Sequence, residues 1–183
     1  CAGPGAPDRA RRLGGRRGGT GLVAGVDGAR GLDHGIWVPL LHLFPAADVP
    51  VVTLAVQPAL GARHHFALGK ALLGLAEENI LILASGHLTH NLNDFFFRRG
   101  AGPSPGSVAF RDWAHAELMG GAAERLLDWE SAPGATQAHP TPEHLMPLFV
   151  ALGAAGRGYA TEALGGGWVG GALAADNYLF TPA

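Results

Sequence analysis

Nine histidines stand against a single lysine, Lys70, and imidazole is both a common metal ligand and the side chain that exchanges protons near neutral pH. Three local patterns set some of them apart. His34 lies in Gly31-Leu32-Asp33-His34-Gly35-Ile36-Trp37, where Gly35 lets the backbone approach a ligand and Asp33 can orient the ring. A turn histidine at a strand entrance is the plainer reading of the same residues. His87 and His90 lie in Ser85-Gly86-His87-Leu88-Thr89-His90-Asn91-Leu92. Of the two, His90 is the better general acid or base, because Asn91 and Leu92 read as a helix start that would hold its ring, whereas His87 reads as solvated.

His139 and His144 bracket Pro140-Thr141-Pro142-Glu143. With Thr141 as N-cap and Pro142 as first helical residue, His144 falls in the first turn of a helix, where the positive end keeps imidazole neutral and ready for a metal. Glu143 then points elsewhere, since adjacent helical residues do not share a face. The spacing fits neither a zinc-finger pair nor the His-Glu-x-x-His helix, so by itself it names no metal. His42, His64, His65 and His115 read as surface or boundary residues, and Cys1, without a fixed partner, is not a credible nucleophile.

The elements that must carry these groups follow from periodicity. Residues 50–56, Pro-Val-Val-Thr-Leu-Ala-Val, and 79–84, Asn-Ile-Leu-Ile-Leu-Ala, read as buried strands. Between them residues 63–76 take helical spacing, with Leu68, Leu72 and Leu75 on one face. Strand, helix and strand in succession predict a βαβ unit, hence an α/β fold with a mixed, largely parallel central sheet flanked by helices. Ser85 and Gly86 end the second strand and put His87 to Asn91 in the loop at its carboxyl end, where open α/β sheets build their sites. Further helices are predicted from Phe110 to Trp129, broken near Gly120 and Gly121, and from Pro142 to Leu152 with a kink at Pro147, while Ala172 to Phe180 reads as a closing strand.

Composition narrows the function classes. The chain has 183 residues, 48% hydrophobic and 15% charged, with a formal net charge of −2, which fits a globular domain and gives no electrostatic footprint for nucleic acid or an anionic membrane. Six arginines fall among repeated glycines in residues 1–31, five of them before Arg30, with no aromatic residues interleaved, so residues 1–29 read as a flexible Gly/Arg-rich segment and 30–183 as the domain. A cytoplasmic location is the expectation, since no secretory signal or apolar run of membrane length is apparent.

Taken together, Arg30-Gly31-Leu32-Asp33-His34-Gly35-Ile36-Trp37-Val38-Pro39-Leu40, the Ser85–Leu92 segment and His139-Pro140-Thr141-Pro142-Glu143-His144 resemble, in order and spacing, the class III extradiol ring-cleavage dioxygenases. The likeness is to the single-chain DOPA 4,5-dioxygenase branch, related to the protocatechuate 4,5-dioxygenase catalytic (LigB-like) subunit. It runs from about Arg30 to Phe180. It implies opening of a catechol ring next to, not between, its hydroxyls, with both atoms of O2 incorporated, by non-haem Fe(II) or, in this branch, Zn(II). By resemblance His144 matches a metal ligand, His90 the acid/base that removes a catechol proton, and His34 a histidine touching the substrate or oxygen.

Family members also carry an earlier His-Gly motif and a second histidine before a tryptophan, which supply two more metal ligands; neither motif is found in this sequence. The chain is therefore expected to be incomplete at its N-terminus and, alone, inactive or nearly so. A non-catalytic remnant or small-aromatic-ligand binding module on the same scaffold is the alternative. A zinc hydrolase is weaker, since no metalloprotease spacing or Gly-x-Ser-x-Gly elbow occurs.

Overall fold

The computed structural model describes residues 25–98 and 100–183; the greater part of the expected Gly/Arg-rich segment 1–29 lies outside them. The chain divides into two compact units, Cys1–Ala55 and Val56–Ala183. In the first, the described residues hold one helix, α1 (His34–Leu43), which begins where the Asp33 carbonyl accepts from the amides of Ile36 and Trp37 at 3.0 Å each. His34, read above as a turn residue, is the first residue of this helix and is exposed.

The second unit runs through α2 (Gly61–Ala71), α3 (Leu92–Phe97), α4 (Pro105–Met119), α5 (Ala123–Leu126), α6 (Ala135–Ala138), α7 (Met146–Ala155), β1 (Ala160–Gly165), β2 (Trp168–Val169), β3 (Leu173–Ala174) and β4 (Asn177–Thr181), with short 3-10 turns between. Ser104 caps α4 by accepting from the Ser107 amide, and Pro105 sits in its first turn, where a missing N–H costs nothing. Phe110, Ala114 and Leu118 then recur on one face of α4 and meet Leu126, Leu145, Met146, Phe149 and Leu152 in the core. Each large side chain buried there contributes roughly 1.5–3 kcal/mol.

Helix α7 is apolar on nearly every face and buries most of its residues, as a helix inside a core does. It packs on α2 through two glycines: a Cβ on Gly69 would stand 2.1 Å from the Val150 carbonyl oxygen, and one on Gly153 would stand 2.1 Å from that of Phe66. The fully buried residues of α2 itself are Ala62, His65 and Gly69, because backbone-to-backbone approach selects small residues; of the leucines read from spacing, Leu68 and Leu72 are half-buried and Leu75, beyond the helix, is buried. His65, expected near the surface, is fully buried: its Nδ1–H donates to the Gly61 carbonyl at 2.6 Å and its Nε2 accepts from the Gln57 amide at 3.0 Å.

The sheet differs from expectation. Among the described residues the strands pair antiparallel, β1 with β4 and β2 with β3, with a register irregularity between Ala163 and Gly165. Residues 50–56 and 79–84 join no ladder, and Leu81 and Leu83 are 62% and 43% exposed. A strand exists only through its neighbours' hydrogen bonds, and without them an apolar, β-branched run has no ladder to join. The fold is mixed helix and sheet. Arg111 braces the β3–β4 turn against α4 with a bidentate pair to Asp176 at 2.8 and 2.6 Å.

A second difference bears on the site. Residues 140–145 are turns, and the helix begins only at Met146. Pro147 explains it: proline belongs in a first turn and breaks an interior, so it starts α7 rather than kinking a longer helix. Thr141 does not cap; its hydroxyl donates to Glu143 Oε1 at 2.8 Å.

Candidate functional site

The loop of residues 86–91 is held on two sides. On one, the His87 amide donates to the His144 carbonyl at 3.0 Å, the His90 amide to the Ala138 carbonyl at 2.8 Å, and Asn91 Nδ2 to the Gln137 carbonyl at 2.7 Å. On the other, the Leu88 amide donates to the Ala174 carbonyl at 3.1 Å, while the buried Thr89 hydroxyl donates to the Ala172 carbonyl and accepts from the Ala174 amide. Asn91 also caps α3 by accepting from the Asp94 amide at 3.1 Å, the helix start read from sequence. His139, buried beneath the loop, donates from Nε2 to the Leu88 carbonyl at 2.8 Å.

This stitching brings three imidazoles together. The rings of His90 and His144 stack with centroids 3.6 Å apart and planes 21° from parallel. His87 stands 5.6 Å from His90 and 6.1 Å from His144, centroid to centroid. Glu143 Oε1 lies 3.9 Å from His144 Nε2. Nitrogen and oxygen donors of His90, Glu143 and His144 all fall within 4.8 Å of one another, a grouping able to hold a metal ion.

The electrostatics favour neutral donors. Burial is the largest cause pushing His90 down to about 4, followed by the neighbouring His144 and His87. His87 is lowered by burial and then by His144. For Glu143 burial works against ionisation, but hydrogen bonds from its own backbone and from Thr141, together with the imidazoles, outweigh it and hold the carboxyl below its usual value. Neutral imidazoles beside a carboxylate are donors that Zn(II) and Fe(II) accept. His87 Nδ1 is buried without a hydrogen-bond partner, as is His139 Nδ1 below the loop.

His90 and His144 therefore meet, while His34 belongs to the unit ending at Ala55. Two residues were misread. Glu143 does not point away, because residues 140–145 form turns rather than helix and adjacent turn residues can converge. His87 is half-buried and faces the other two rings rather than solvent. The helix-end argument for a neutral His144 falls with the helix; the signal that would have corrected it was Pro147.

A mixed helix–sheet chain presenting this imidazole and carboxylate grouping on a tightly held loop has the parts of a metal-dependent enzyme. The family described as the catalytic LigB subunit of aromatic ring-opening dioxygenase matches residues 18–181, and the chain belongs to that family. It is 40% identical to a 4,5-DOPA dioxygenase extradiol of Beta vulgaris over 97% of this chain and 67% of the relative. To its namesake in Mirabilis jalapa it is 36% identical, over 98% and 67%. A crystal structure of an uncharacterized Escherichia coli K12 protein superposes with a TM-score of 0.78 at 29% identity, covering 93% of this chain and 70% of that one. The chain thus spans about two thirds of the length of these relatives. No described helix is long and apolar enough to cross a membrane.

Proposed function

We propose that the protein is a metal-dependent extradiol dioxygenase that opens a catechol-type aromatic ring beside its hydroxyl pair, incorporating both atoms of O2. The observation that carries the reading is the convergence of His90, Glu143 and His144 in a chain of the ring-opening dioxygenase family. In this reading His144 holds the metal, Fe(II) or Zn(II). His90 takes a catechol proton and returns it later, and His34 contacts the substrate or oxygen. The bound metal supplies Lewis acidity that lowers the catechol's second pKa and an open coordination position for oxygen.

His90 suits its role because burial keeps the ring neutral, so that it meets the catechol as a proton acceptor. The stitched backbone of residues 86–91 holds it in place without help from bulk water. The names of the relatives make DOPA the first catechol to try. The reading extends to the scaffold: residues 30–183 act as the catalytic domain, in which the apolar, β-branched composition of 50–56 and 79–84 suits strands of a largely parallel central sheet. It further takes the protein to be cytoplasmic, with a small aromatic substrate and O2 as partners rather than nucleic acid or membrane.

The relatives extend well beyond the share this chain covers, and the resemblance assigns further metal ligands to an earlier His-Gly motif. Alone, the chain is accordingly proposed to turn over little. The test is anaerobic reconstitution with Fe(II), with and without a supplied segment carrying that motif, followed by oxygen uptake and the yellow semialdehyde absorbance on adding DOPA or protocatechuate. Ring opening that needs the supplement is the expected result. Folded protein with no activity in either arm, across several catechols, overturns the reading in favour of a module that only binds small aromatics.

A further inference from the structure

We propose that the extended run from Ile80 to Gly86 is a docking edge for a strand of a second polypeptide, one carrying the part of the family's chain that this protein does not span. The run joins no ladder. Among the described residues, no main-chain amide from Leu81 to Gly86 donates a hydrogen bond and no carbonyl from Ile80 to Gly86 accepts one. Burial alternates along it: Leu81 and Leu83 are exposed, while Ile80, Ile82 and Ala84 are half-buried, the period-two pattern of a strand with one face on a core and the other uncovered. It contains no charged residue and no proline, the residues that commonly blunt an open edge. Free backbone groups beside alternating apolar side chains are what an added strand pairs with.

Size and place identify the occupant, given the family reading proposed above. The Beta vulgaris and Mirabilis jalapa relatives have about a third of their length outside the share that aligns with this chain. A segment of that size can pair with the open backbone and also cover Leu81 and Leu83. A second copy of this chain, pairing through the same run, would satisfy the backbone but leave both leucines uncovered, since strands pair edge to edge. The run is also continuous with the candidate site. The His87 amide, next after Gly86, donates to the His144 carbonyl at 3.0 Å, and a Cβ on Gly86 would stand 2.2 Å from the same oxygen. A strand docked along 80–86 therefore has one end beside the loop that carries His90, where the ligands this chain does not supply are needed.

The test adds to the full chain, as a separate polypeptide, the part of the Beta vulgaris relative that lies outside the aligned share, and follows amide hydrogen exchange by mass spectrometry. Exchange of residues 81–86 is expected to slow by about tenfold or more when the probe binds. Leu81→Lys with Leu83→Lys, both at exposed positions, is expected to weaken binding by about tenfold or more while exchange in α2 and α7 stays at the wild-type rate. Binding that leaves 81–86 exchanging as in the free chain overturns the proposal, as does a folded chain that binds no probe. Protection of 81–86 without the probe, growing with protein concentration, overturns it in favour of a second copy. The readout needs no turnover: protection of 81–86 in a complex that opens no catechol ring after Fe(II) is added leaves the docking edge standing and overturns the dioxygenase reading, and ring opening with 81–86 unprotected does the reverse.

Discussion

The ring of His139 donates from Nε2 to the Leu88 carbonyl at 2.8 Å, so the floor of the candidate site is held by a histidine that packs in the core. It is 3% exposed and lies edge-on to Phe110 and Trp129, with centroids 5.2 and 5.7 Å away. Removing it would strip a buried carbonyl of its donor and open a void between two aromatics. His139→Ala is expected to cost about 3–4 kcal/mol, the sum of an unsatisfied group and a cavity. Urea unfolding of both proteins measures this; a loss below about 1 kcal/mol would mean that the bond does not hold the loop.

The pH dependence of stability follows from the same residue. His139 and His90 both stand at about 4 against an ordinary value of 6.5, and burial is the largest cause in each. The folded protein keeps these rings neutral down to about pH 4, while the unfolded chain takes up protons from about pH 6.5 downward. In that window the unfolded state binds more protons, so stability is flat above about 6.5 and falls as pH drops toward 4. His139 alone contributes on the order of 3 kcal/mol to the fall; the less buried His90 contributes less. Unfolding midpoints taken between about pH 7 and pH 4.5 should show the decline, and His139→Phe should flatten it.

How far the sequence speaks for this architecture depends on how local each determinant is. Asn91 as a cap, the loop position of His90 and the break after Met119 each depend on a few neighbouring residues, and each is found. Pro142 and Pro147 both offer a helix start within a few residues, and propensity alone favours the wrong one. His65 reads as a surface or boundary residue in sequence and nothing in sequence marks His139 as buried, because their partners come from other segments: Gln57 and Gly61 for one, Leu88, Phe110 and Trp129 for the other. The runs at 50–56 and 79–84 have strand composition, yet strandedness is a property of a pair, which one segment cannot encode. His87 was misjudged for the same reason, since its partner His144 is reached only through the fold.

The contact of α2 with α7 gives a prediction whose sign is opposite to intrinsic propensity. Alanine in place of a mid-helix glycine normally gains about 1 kcal/mol. At Gly69 the added methyl would stand 2.1 Å from the Val150 oxygen and 2.9 Å from the Ala154 nitrogen, both main-chain atoms that cannot rotate away. Gly69→Ala and Gly153→Ala are each expected to destabilise by about 1–3 kcal/mol, lowering the melting temperature by several degrees. A raised melting temperature in either variant would show that the two helices do not approach so closely.

His90 and His144 are stacked side by side yet are assigned different work, and substitution separates the two. A general acid or base contributes typically about 10²–10⁴ in rate, whereas loss of a metal ligand removes the centre itself. In a form of the enzyme that turns over a catechol, His90→Gln is expected to lower kcat by about 10²–10⁴ while metal content measured by atomic absorption stays at the wild-type level. His144→Gln is expected to lose metal and activity together. Because glutamine is neutral and hydrogen-bonding but accepts no proton near neutral pH, the His90→Gln rate should also lose the pH dependence that the His90 imidazole imposes on the wild type. Equal loss of metal in both variants would make His90 a ligand instead, and the stacked pair would then have to open on metal binding, a rearrangement visible as a change in the histidine ring resonances on titration with Zn(II).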